Sequence, residues 1–353
     1  MLKKVVILGT IILIVSLGHL SITRVLMAHE YIFYNDQCAS VIIPIDGSIL
    51  YVGGSGPENY SRIQDAINDA TDGDTVFVYN DSSPYYENII INKSISVIGE
   101  NQESTIIDGN GQGDVVKIAA DNIIIKNFTI QNSGVHGYVT AGILCESAYV
   151  VIDNNTVINN DNGIFSVSSS FNCSILRNKI EYNFEGIYLI SDCNVIKENL
   201  ITNNSWDGIG LQFSNYNIIS KNVIIKNKAN GIYLHSRSNN NFISNNNILN
   251  NDCGIFLFWN CSYNNISNNF INNSIKFDGI IISISSENII YSNTIVNNSI
   301  EGITIHRSIN NKIILNNFNK NKIGIILKNS TMNEIFNNNF QSNTINPPSA
   351  LRS

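Results

Sequence analysis

Between Gly142 and Asn343, the chain repeats one pattern of apolar and polar positions nine times. Each repeat has Gly-Ile, a gap of variable length, and then I-x-x-N-x-[IVF]-x-x-N, except that Ser274 replaces the last asparagine in one repeat. A period this short and regular is typical of a solenoid, in which one repeat forms one turn and cannot bury its apolar face alone. The glycines that mark the repeats lie 21 to 25 residues apart and are Gly142, Gly163, Gly186, Gly208, Gly231, Gly254, Gly279, Gly302 and Gly324.

Within each repeat, the apolar runs are two to four residues long, rich in isoleucine and separated by asparagine or glycine. Such runs favour β-strands, because an amphipathic helix would place apolar residues three and four positions apart over a dozen residues. Three short strands joined by bends fit one repeat. Stacked repeats then form three parallel sheets, in which each strand pairs with its equivalent one turn away at about 4.8 Å.

One asparagine of the motif is present in all nine repeats, and an isoleucine always stands three residues before it. Asparagine at a bend tolerates left-handed backbone, and identical asparagines in register can hydrogen-bond to each other along the axis. This agrees with the 60 asparagines among 353 residues. We therefore predict a structural ladder formed by Asn155, Asn178, Asn199, Asn222, Asn246, Asn269, Asn293, Asn316 and Asn338.

The pattern I-x-x-N-x-I-x-x-N followed by Gly-Ile resembles the repeat of the right-handed parallel β-helix in pectin-lyase-like proteins. It is most similar to the NosD-type subgroup, which is linked with periplasmic copper handling. The resemblance covers roughly residues 50 to 343. It implies an all-β, right-handed, single-stranded parallel β-helix of about 12 turns with a short N-terminal capping helix. It says little about activity, because β-helices include lyases, hydrolases, adhesins and scaffolds.

The start of the chain predicts a leader. Residues 1–28 combine Lys3 and Lys4 with an apolar stretch from Val5 to Leu17. This pattern indicates a signal peptide or, alternatively, an uncleaved membrane anchor. In either case the repeats lie outside the cytoplasm, in a protein that is secreted or anchored at the cell surface.

Residues 29–74 form an N-terminal segment that contains the capping helix. Ser61 and Gln64 make a capping-box pattern before Ile63, Ala66 and Ile67, and the helix is expected to end near Gly73. It would cover the first turn of the β-helix, which extends over residues 75–343. Residues 344–353 form a tail with no such helix. An open sheet edge invites pairing, so either the tail folds over it or another chain associates with it end to end, unless the chain is a shortened relative of longer proteins.

Composition restricts the partners. The net charge is −7, the pI is about 5.2, and 14% of the residues are charged. The chain has no basic stripe, which argues against a nucleic-acid partner.

The cysteines suggest one covalent link. Cys173 and Cys193 lie in comparable bends of successive repeats, five and six residues before their ladder asparagines. We therefore predict a disulfide between them that joins two turns. Cys145 falls at an inward strand position and is expected in the core.

The strand after each glycine predicts a candidate groove. If the isoleucine after glycine points inward, the next residue points outward, and it is aromatic in several repeats. The residue before glycine is acidic in four repeats. Aromatic rings stack on sugars, and an acidic row can hold sugar hydroxyls or a cation such as calcium. Alternatively, the rings shield the sheet and the acids form ordinary turns. The candidate groove for an extended polysaccharide comprises Phe165, Tyr188, Tyr233, Phe256, Trp259, Glu185, Asp207, Asp278 and Glu301.

The case for catalysis is weaker. The resemblance implies an Arg or Lys base beside acidic calcium ligands in lyases and three clustered aspartates in hydrolases, and the regular repeats have neither arrangement. Hydrolysis by two carboxylates needs them about 5 to 10 Å apart. The adjacent acidic pairs, Glu185 with Asp207 and Asp278 with Glu301, are both at bends. We therefore assign no catalytic residue.

Metal sites are also not indicated. Copper(I) prefers clustered Cys, Met or His, whereas His29, His136, His235 and His306 are scattered. The stretch from Asp108 to Gly111, with Asp114, could bind calcium, although a plain turn is the simpler interpretation. We predict an extracytoplasmic scaffold or binder of extended glycans without catalysis. The alternatives are a polysaccharide lyase or glycoside hydrolase, or a NosD-like accessory protein in copper handling.

Overall fold

The computed structural model describes residues 47–135 and 140–345, and the backbone of 351–352. Within these ranges the chain forms a right-handed parallel β-helix with three sheets, here called A, B and C. The predicted leader lies outside the described residues. In the described ranges, no helix combines the length and the apolar character that crossing a bilayer requires.

Sheet A has thirteen parallel strands, one more turn than predicted, because the first strand pairs in register with the second. Its strands are β1 (Ile49–Val52), β2 (Thr75–Val78), β5 (Ser96–Gly99), β8 (Ile124–Lys126), β11 (Val151–Asp153), β14 (Ser174–Leu176), β17 (Val195–Lys197), β20 (Ile218–Ser220), β23 (Phe242–Ser244), β26 (Asn265–Ser267), β29 (Ile289–Tyr291), β32 (Lys312–Ile314) and β35 (Glu334–Phe336).

Sheet B has twelve parallel strands. They are β3 (Tyr85–Tyr86), β6 (Ile106–Asp108), β9 (Thr129–Gln131), β12 (Thr156–Ile158), β15 (Lys179–Glu181), β18 (Leu200–Thr202), β21 (Val223–Ile225), β24 (Asn247–Leu249), β27 (Phe270–Asn272), β30 (Thr294–Val296), β33 (Asn317–Asn319) and β36 (Asn339–Gln341).

Sheet C has eleven strands, and it carries the candidate groove. They are β4 (Ile89–Ile91), β7 (Val116–Ile118), β10 (Ala141–Cys145), β13 (Asn162–Ser166), β16 (Glu185–Leu189), β19 (Ile209–Gln212), β22 (Asn230–His235), β25 (Cys253–Phe258), β28 (Ile280–Ser283), β31 (Glu301–His306) and β34 (Ile323–Lys328).

The predicted superposition of equivalent residues is confirmed. In sheet A, Ile175 pairs with Ile196, and Ile196 pairs with Ile219. All three are at most 1% exposed. Each turn thus buries the apolar side chains that its neighbour would otherwise expose to water, which is the main stabilising term for such a fold.

The predicted asparagine ladder is also confirmed. Asn222 shows the pattern: its Oδ1 accepts from the backbone N–H and from the Nδ2 of Asn199, both at 3.0 Å. Its Nδ2 donates to Ile196 O at 2.9 Å and to Asn246 Oδ1 at 3.0 Å. The buried amide therefore has partners on both turns, as burial of a polar group requires.

The last asparagine of the motif forms a second ladder, as between Asn183 and Asn204. A third ladder of asparagines was not predicted. It runs at the junction of sheets C and A, with Nδ2 to Oδ1 distances of 3.0 to 3.1 Å between successive members. The sequence does contain a signal for this column, because each member stands five residues before an asparagine of the first ladder. The members are Asn194, Asn217, Asn241, Asn264, Asn288, Asn311 and Asn333.

The left-handed bends lie one residue away from where we expected them. The ladder asparagines are not left-handed; the residue before each one is. These residues include side chains that rarely adopt this conformation, such as Arg177 (φ 52°), Lys221 (φ 56°) and Leu315 (φ 56°). Each such residue costs about 1 kcal/mol or more. The ladder hydrogen bonds that follow each bend stabilise it.

Close packing between turns explains why the motif position is glycine. A Cβ at Gly186 would lie 2.3 Å from Gly208 O of the next turn and 3.0 Å from Asn204 Nδ2. A side chain at this position would therefore push the turns apart.

The N-terminal helix is present, but its predicted cap is wrong. Helix α1 (Ile63–Asp69) begins after Arg62, and no side chain of the local sequence caps it. Instead, the Glu87 carboxylate accepts from Ile63 N at 2.9 Å and Gln64 N at 3.1 Å. The Gln64 amide also exchanges hydrogen bonds with both backbone groups of Ile90, on the first strand of sheet C. The helix thereby covers the first turn.

At the other end, a short strand β37 (Leu351–Arg352) pairs antiparallel with β35. The tail therefore covers part of the sheet A edge, which was one of the alternatives considered. End-to-end association remains a prediction.

The predicted disulfide between Cys173 and Cys193 is wrong. Cys173 is a free buried thiol, whereas Cys193 is disulfide-bonded. The two are not equivalent in the repeat: Cys173 N donates to Asn194 Oδ1 at 2.9 Å, so Cys173 stands at the head of the third ladder. Cys193 occupies the left-handed position one residue earlier, with φ 61°. Among the described residues, the cysteines other than Cys193 are all free.

Candidate functional site

The outer face of sheet C carries a continuous stack of aromatic rings. In order along the axis, the ring centroids of Phe165 and Tyr188 are 5.6 Å apart, and those of Tyr233 and Phe256 are 5.3 Å apart. The register that brings these rings together follows from strand pairing, since the four residues are outward neighbours on their strands. The alternation of inward and outward residues along the strands predicted this column.

Gly210 leaves a gap between Tyr188 and Tyr233, and His235 fills it. The His235 ring is stacked at 4.8 Å from Tyr233 with an 8° interplanar angle, and at 6.3 Å from Tyr188 with a 16° angle. Burial lowers the pKa of His235, so the ring is neutral at neutral pH. This role of His235 was not predicted from the sequence, in which it was one of four scattered histidines.

Phe258 continues the row in a tilted contact, with its centroid 5.6 Å from that of Phe256 and an interplanar angle of 44°. Because neighbouring rings turn their faces to each other, the stack presents ring edges to solvent, and its members are half-buried. Two rings at the border of the stack are different. Phe213 is 53% exposed and Trp259 is 57% exposed. Both follow the last residues of sheet C strands in left-handed conformation, which turns their side chains outward.

We call this surface the aromatic face. It comprises Phe165, Tyr188, Phe213, Tyr233, His235, Phe256, Phe258 and Trp259.

The acidic residues of the candidate groove lie in one column, as predicted, but they are buried. Glu185 and Asp207 belong to adjacent turns and are 6% and 2% exposed. Glu185 reaches into the gap at Gly210, where a Cβ would be 2.7 Å from its Oε1. Asp207 Oδ1 accepts from Asn230 N at 2.7 Å and from Asn230 Nδ2 at 2.8 Å.

Burial determines the protonation of these acids. Desolvation, and then the nearby Asp207 charge, raise the pKa of Glu185 well above its usual value. Desolvation raises the pKa of Asp207 to about 7. In the second pair, burial and a hydrogen bond with Glu301 raise the pKa of Asp278 to about 7. Burial therefore favours the neutral form of Glu185, Asp207 and Asp278.

The two central tyrosines have polar tips. The Tyr188 hydroxyl donates to Gln212 Oε1. Burial, followed by the charge of Glu185, raises the pKa of Tyr188 to about 12, and burial does the same for Tyr233. Both therefore keep their hydroxyl protons and can donate hydrogen bonds over the physiological range.

The cluster around Asp108 is a turn in which both carboxylate oxygens of Asp108 already accept hydrogen bonds. Asp108 Oδ1 accepts from Asn110 N at 2.8 Å, and Oδ2 accepts from Gln131 Nε2 at 2.7 Å and Asn132 Nδ2 at 2.8 Å. These contacts favour the plain-turn interpretation over a calcium site.

A second cluster lies where sheets C and A meet. Cys145, the last residue of β10, and Cys173, just before β14, belong to successive turns. Their Sγ atoms each lie 3.4 Å from the carbonyl oxygen of Ser147. Cys145 is buried in the core, as predicted, and Cys173 is 3% exposed.

Comparison with known families identifies the chain. Residues 67–279 and 276–349 match the family described as periplasmic copper-binding protein (NosD). The chain belongs to the NosD family. The family is periplasmic, which supports an extracytoplasmic location. Comparison with curated proteins finds no match.

Solved structures share the architecture. The A-module of a mannuronan C-5 epimerase from Azotobacter vinelandii is similar, with a TM-score of 0.68 and 15% identity over 82% of this chain and 94% of that chain. The Dettilon tailspike protein has a TM-score of 0.69 and 17% identity over 84% and 68%. The catalytic domain of an α-1,3-glucanase in complex with tetrasaccharides has a TM-score of 0.57 and 13% identity over 87% and 67%. At these identities the likeness shows the fold alone.

Proposed function

We propose that this NosD-family protein binds an extended glycan along the aromatic face and does not cleave it. The observation that carries the proposal is the unbroken run of rings over successive turns, bordered by the exposed Phe213 and Trp259. Solenoids present equivalent groups at fixed spacing, which suits a repeating ligand. Several similar structures are of carbohydrate-active proteins, which agrees with this class of ligand.

The parts of the face would have distinct roles. Trp259 and Phe213 offer the ring area on which sugar faces can stack, at opposite ends of a span of two turns. The half-buried stack beside them provides a floor with ring edges and with the Tyr233 hydroxyl as a donor. Because the floor is rigid, a bound glycan would order few protein side chains and lose little entropy there.

The acidic residues argue against glycoside hydrolysis at this face. A general acid and a base or nucleophile must reach the glycosidic bond from both sides. Glu185 and Asp207 are instead buried under the rings, and Asp278 and Glu301 are 5% and 7% exposed. In this arrangement the carboxyls support the sheet and do not face a ligand.

Affinity electrophoresis of the full chain in gels containing individual polysaccharides tests the proposal, followed by calorimetry with oligosaccharides of the retarding one. Each ring stack contributes about 0.5–1.5 kcal/mol. The double substitution of Phe213→Ala and Trp259→Ala should therefore weaken binding by about fivefold or more. Phe270→Ala is the matched control, because Phe270 is a partly exposed ring (38%) on the outer face of sheet B.

Two results would overturn the proposal. One is a wild-type chain that no polysaccharide retards. The other is a double variant that binds as tightly as the wild type and the Phe270→Ala control.

Copper handling is a second candidate, because the family description names copper. Scattered histidines do not support it: His235 and His306 are three turns apart, and His29 and His136 lie outside the described residues. In the described ranges, no group of three or more His, Cys, Asp or Glu side chains could hold a metal. The specific observation in its favour is the thiol pair of Cys145 and Cys173, since soft copper(I) selects sulfur ligands.

A further inference from the structure

The cysteines of the chain leave one candidate for the disulfide partner of Cys193. The sequence has six cysteines, and Cys193 is disulfide-bonded. Four of the other five are free buried thiols, namely Cys145, Cys173, Cys253 and Cys261. The sixth is Cys38, which stands before β1 and lies outside the described residues. Within this chain, Cys38 is therefore the one cysteine left to form the bond.

We propose that Cys38 and Cys193 form this disulfide, and that residues 39–46 dock in extended form along the corner where sheets C and A meet. The occupant of this corner is thus a segment of the chain itself. The proposal goes beyond glycan binding and does not depend on it.

Strand pairing places the starts of β1 and β17 in one column of sheet A. Ile49 is in register with Val195 through one residue on each intervening strand, in the order Thr75, Ser96, Ile124, Val151 and Ser174. These six spacings of about 4.8 Å make about 29 Å along the axis. Cys193 stands two residues before Val195, so it lies at the same corner from which the chain enters β1.

The chain before β1 can cover this distance only when it is extended. Cys38 and Ile49 are eleven positions apart, and an extended chain spans at most about 3.3–3.6 Å per residue, or about 36–40 Å in total. A helix of the same length would reach only about 17 Å. The disulfide adds about 5.5–6 Å between Cα atoms, which leaves a helix short of Cys193. The segment must therefore be largely extended and follow the axis.

The sequence of the segment favours this form. Its centre consists of β-branched residues and one proline, in the order Val41, Ile42, Ile43, Pro44 and Ile45. β-Branched residues favour extended backbone, and the residue before a proline avoids the helical region.

The chain already contacts the second turn where it enters β1. A Cβ at Gly47 would lie 2.4 Å from Gly73 O, and Ser48 N donates to Asp74 Oδ1 at 2.7 Å. Gly73 and Asp74 precede β2, one turn closer to Cys193. The end of the segment therefore lies against the corner along which we place the rest.

The corner offers apolar partners for the isoleucines of the segment. On the two turns before Cys193, the ring centroids of Tyr149 and Phe171 are 5.5 Å apart, and Phe171 is 41% exposed. Cys193 itself lines a pocket of about 310 Å³ whose walls also include Phe171, Ile190 and Tyr216. Docked aliphatic side chains would remove this apolar surface from water, which stabilises the bound form.

The bond forms by thiol–disulfide exchange. Cys38 and Cys193 lose two protons and two electrons as the S–S bond forms, and a protein disulfide or oxidised glutathione accepts them and becomes two thiols. The family is periplasmic, and disulfides form and persist in that compartment. The four free thiols are at most 3% exposed, which protects them from the same exchange.

The first test counts the thiols that react with a maleimide in the denatured full chain, purified without reductant. We expect four in the wild type, because two of the six cysteines are in the bond. Cys38→Ser and Cys193→Ser should each show five, and the double variant should show four. In the unreduced wild type, the tryptic peptide that ends at Arg62 should be joined to peptide 180–197, and reduction should separate them.

The second test concerns docking. Hydrogen exchange of residues 39–46 should be slow in the wild type, and this protection should be lost in both single variants and after reduction of the wild type. Each single variant and the double variant should lower the melting temperature by the same amount, because all three remove one bond. Circular dichroism shows whether each variant is folded, and the thiol count and peptide map of the wild type need no variant.

Three results would overturn the proposal. Six free thiols in the wild type would mean that the bond does not form. Five, with a dimer on non-reducing electrophoresis, would assign Cys193 to a bond with a second copy. A joined peptide pair in which residues 39–46 exchange as fast as in the reduced chain would remove the docked segment.

Discussion

Truncation of one ladder asparagine should destabilise the β-helix far more than truncation of its neighbour. Asn246 and Asn247 are adjacent in the chain, but Asn246 is fully buried and Asn247 is exposed on sheet B. Asn246→Ala removes an amide whose Oδ1 accepts from Asn222 N at 3.0 Å, and whose Nδ2 donates to Ile219 O and Asn269 Oδ1 at 2.9 Å each. Asn247→Ala is the matched control.

The size of the expected destabilisation follows from the polar groups that lose their hydrogen-bond partners. Asn222 N–H loses its acceptor in a buried place, which costs about 1–3 kcal/mol, and the other lost bonds add about 1 kcal/mol. Asn246→Ala should therefore lower the free energy of unfolding by about 3 kcal/mol. Asn247→Ala should change it by less than about 0.5 kcal/mol.

Urea denaturation followed by far-ultraviolet circular dichroism measures both variants. Repeat proteins can open locally, so hydrogen exchange of the peptide that contains Asn222 complements the denaturation curve. The exchange should be faster in Asn246→Ala and unchanged in the control. If the two variants are equally stable, the ladder contributes no more than an exposed asparagine, and the reasoning fails.

Three further changes test the fold. The pKa values of Asp207 and Asp278 rise from 3.8 unfolded to about 7 in the folded state, so their stabilising contribution is complete below pH about 4 and is lost as the pH rises through 7. The melting temperature should therefore fall between pH 5 and 8, and Asp207→Asn should flatten that decline; a profile that rises over this range contradicts the assignment. Glu87→Ala should cost about 1 kcal/mol by removing the acceptor for the first N–H groups of α1, seen as faster exchange in residues 63–69, whereas Glu103→Ala on an exposed turn should have no effect. Gly186→Ala should lower the urea midpoint because of the 2.3 Å contact with Gly208 O, and an unchanged midpoint would show that the turns can separate without cost.

Much of the fold could be predicted, because the repeat encodes it locally. Isoleucine and asparagine recur at fixed offsets, and stacking in register follows once each turn must cover the next. The capping of α1 could not be predicted in this way. Its acceptor, Glu87, lies 24 residues after Ile63, and nothing in the local pattern indicates that it returns to the helix.

The candidate site could be predicted only in part, again because the local pattern does not show contacts between turns. Alternation along the strands placed Tyr188 and Tyr233 on one face. The role of His235 in the stack could not be predicted from the sequence. Its ring enters a gap that exists only because Gly210 of the preceding turn lies beside its strand. Exposure was also misjudged: Glu185 and Asp207 occupy the predicted column, but the rings and the adjacent turns bury them.

The most direct measurement of the functional claim is a crystal structure of the chain with a bound oligosaccharide from the polysaccharide that retards it most. We expect sugar rings against Trp259 and Phe213, running along the axis over the aromatic face, with the asparagine ladders unchanged. Sugar bound on sheet A or B, or an aromatic face left bare at saturating ligand, would contradict the account.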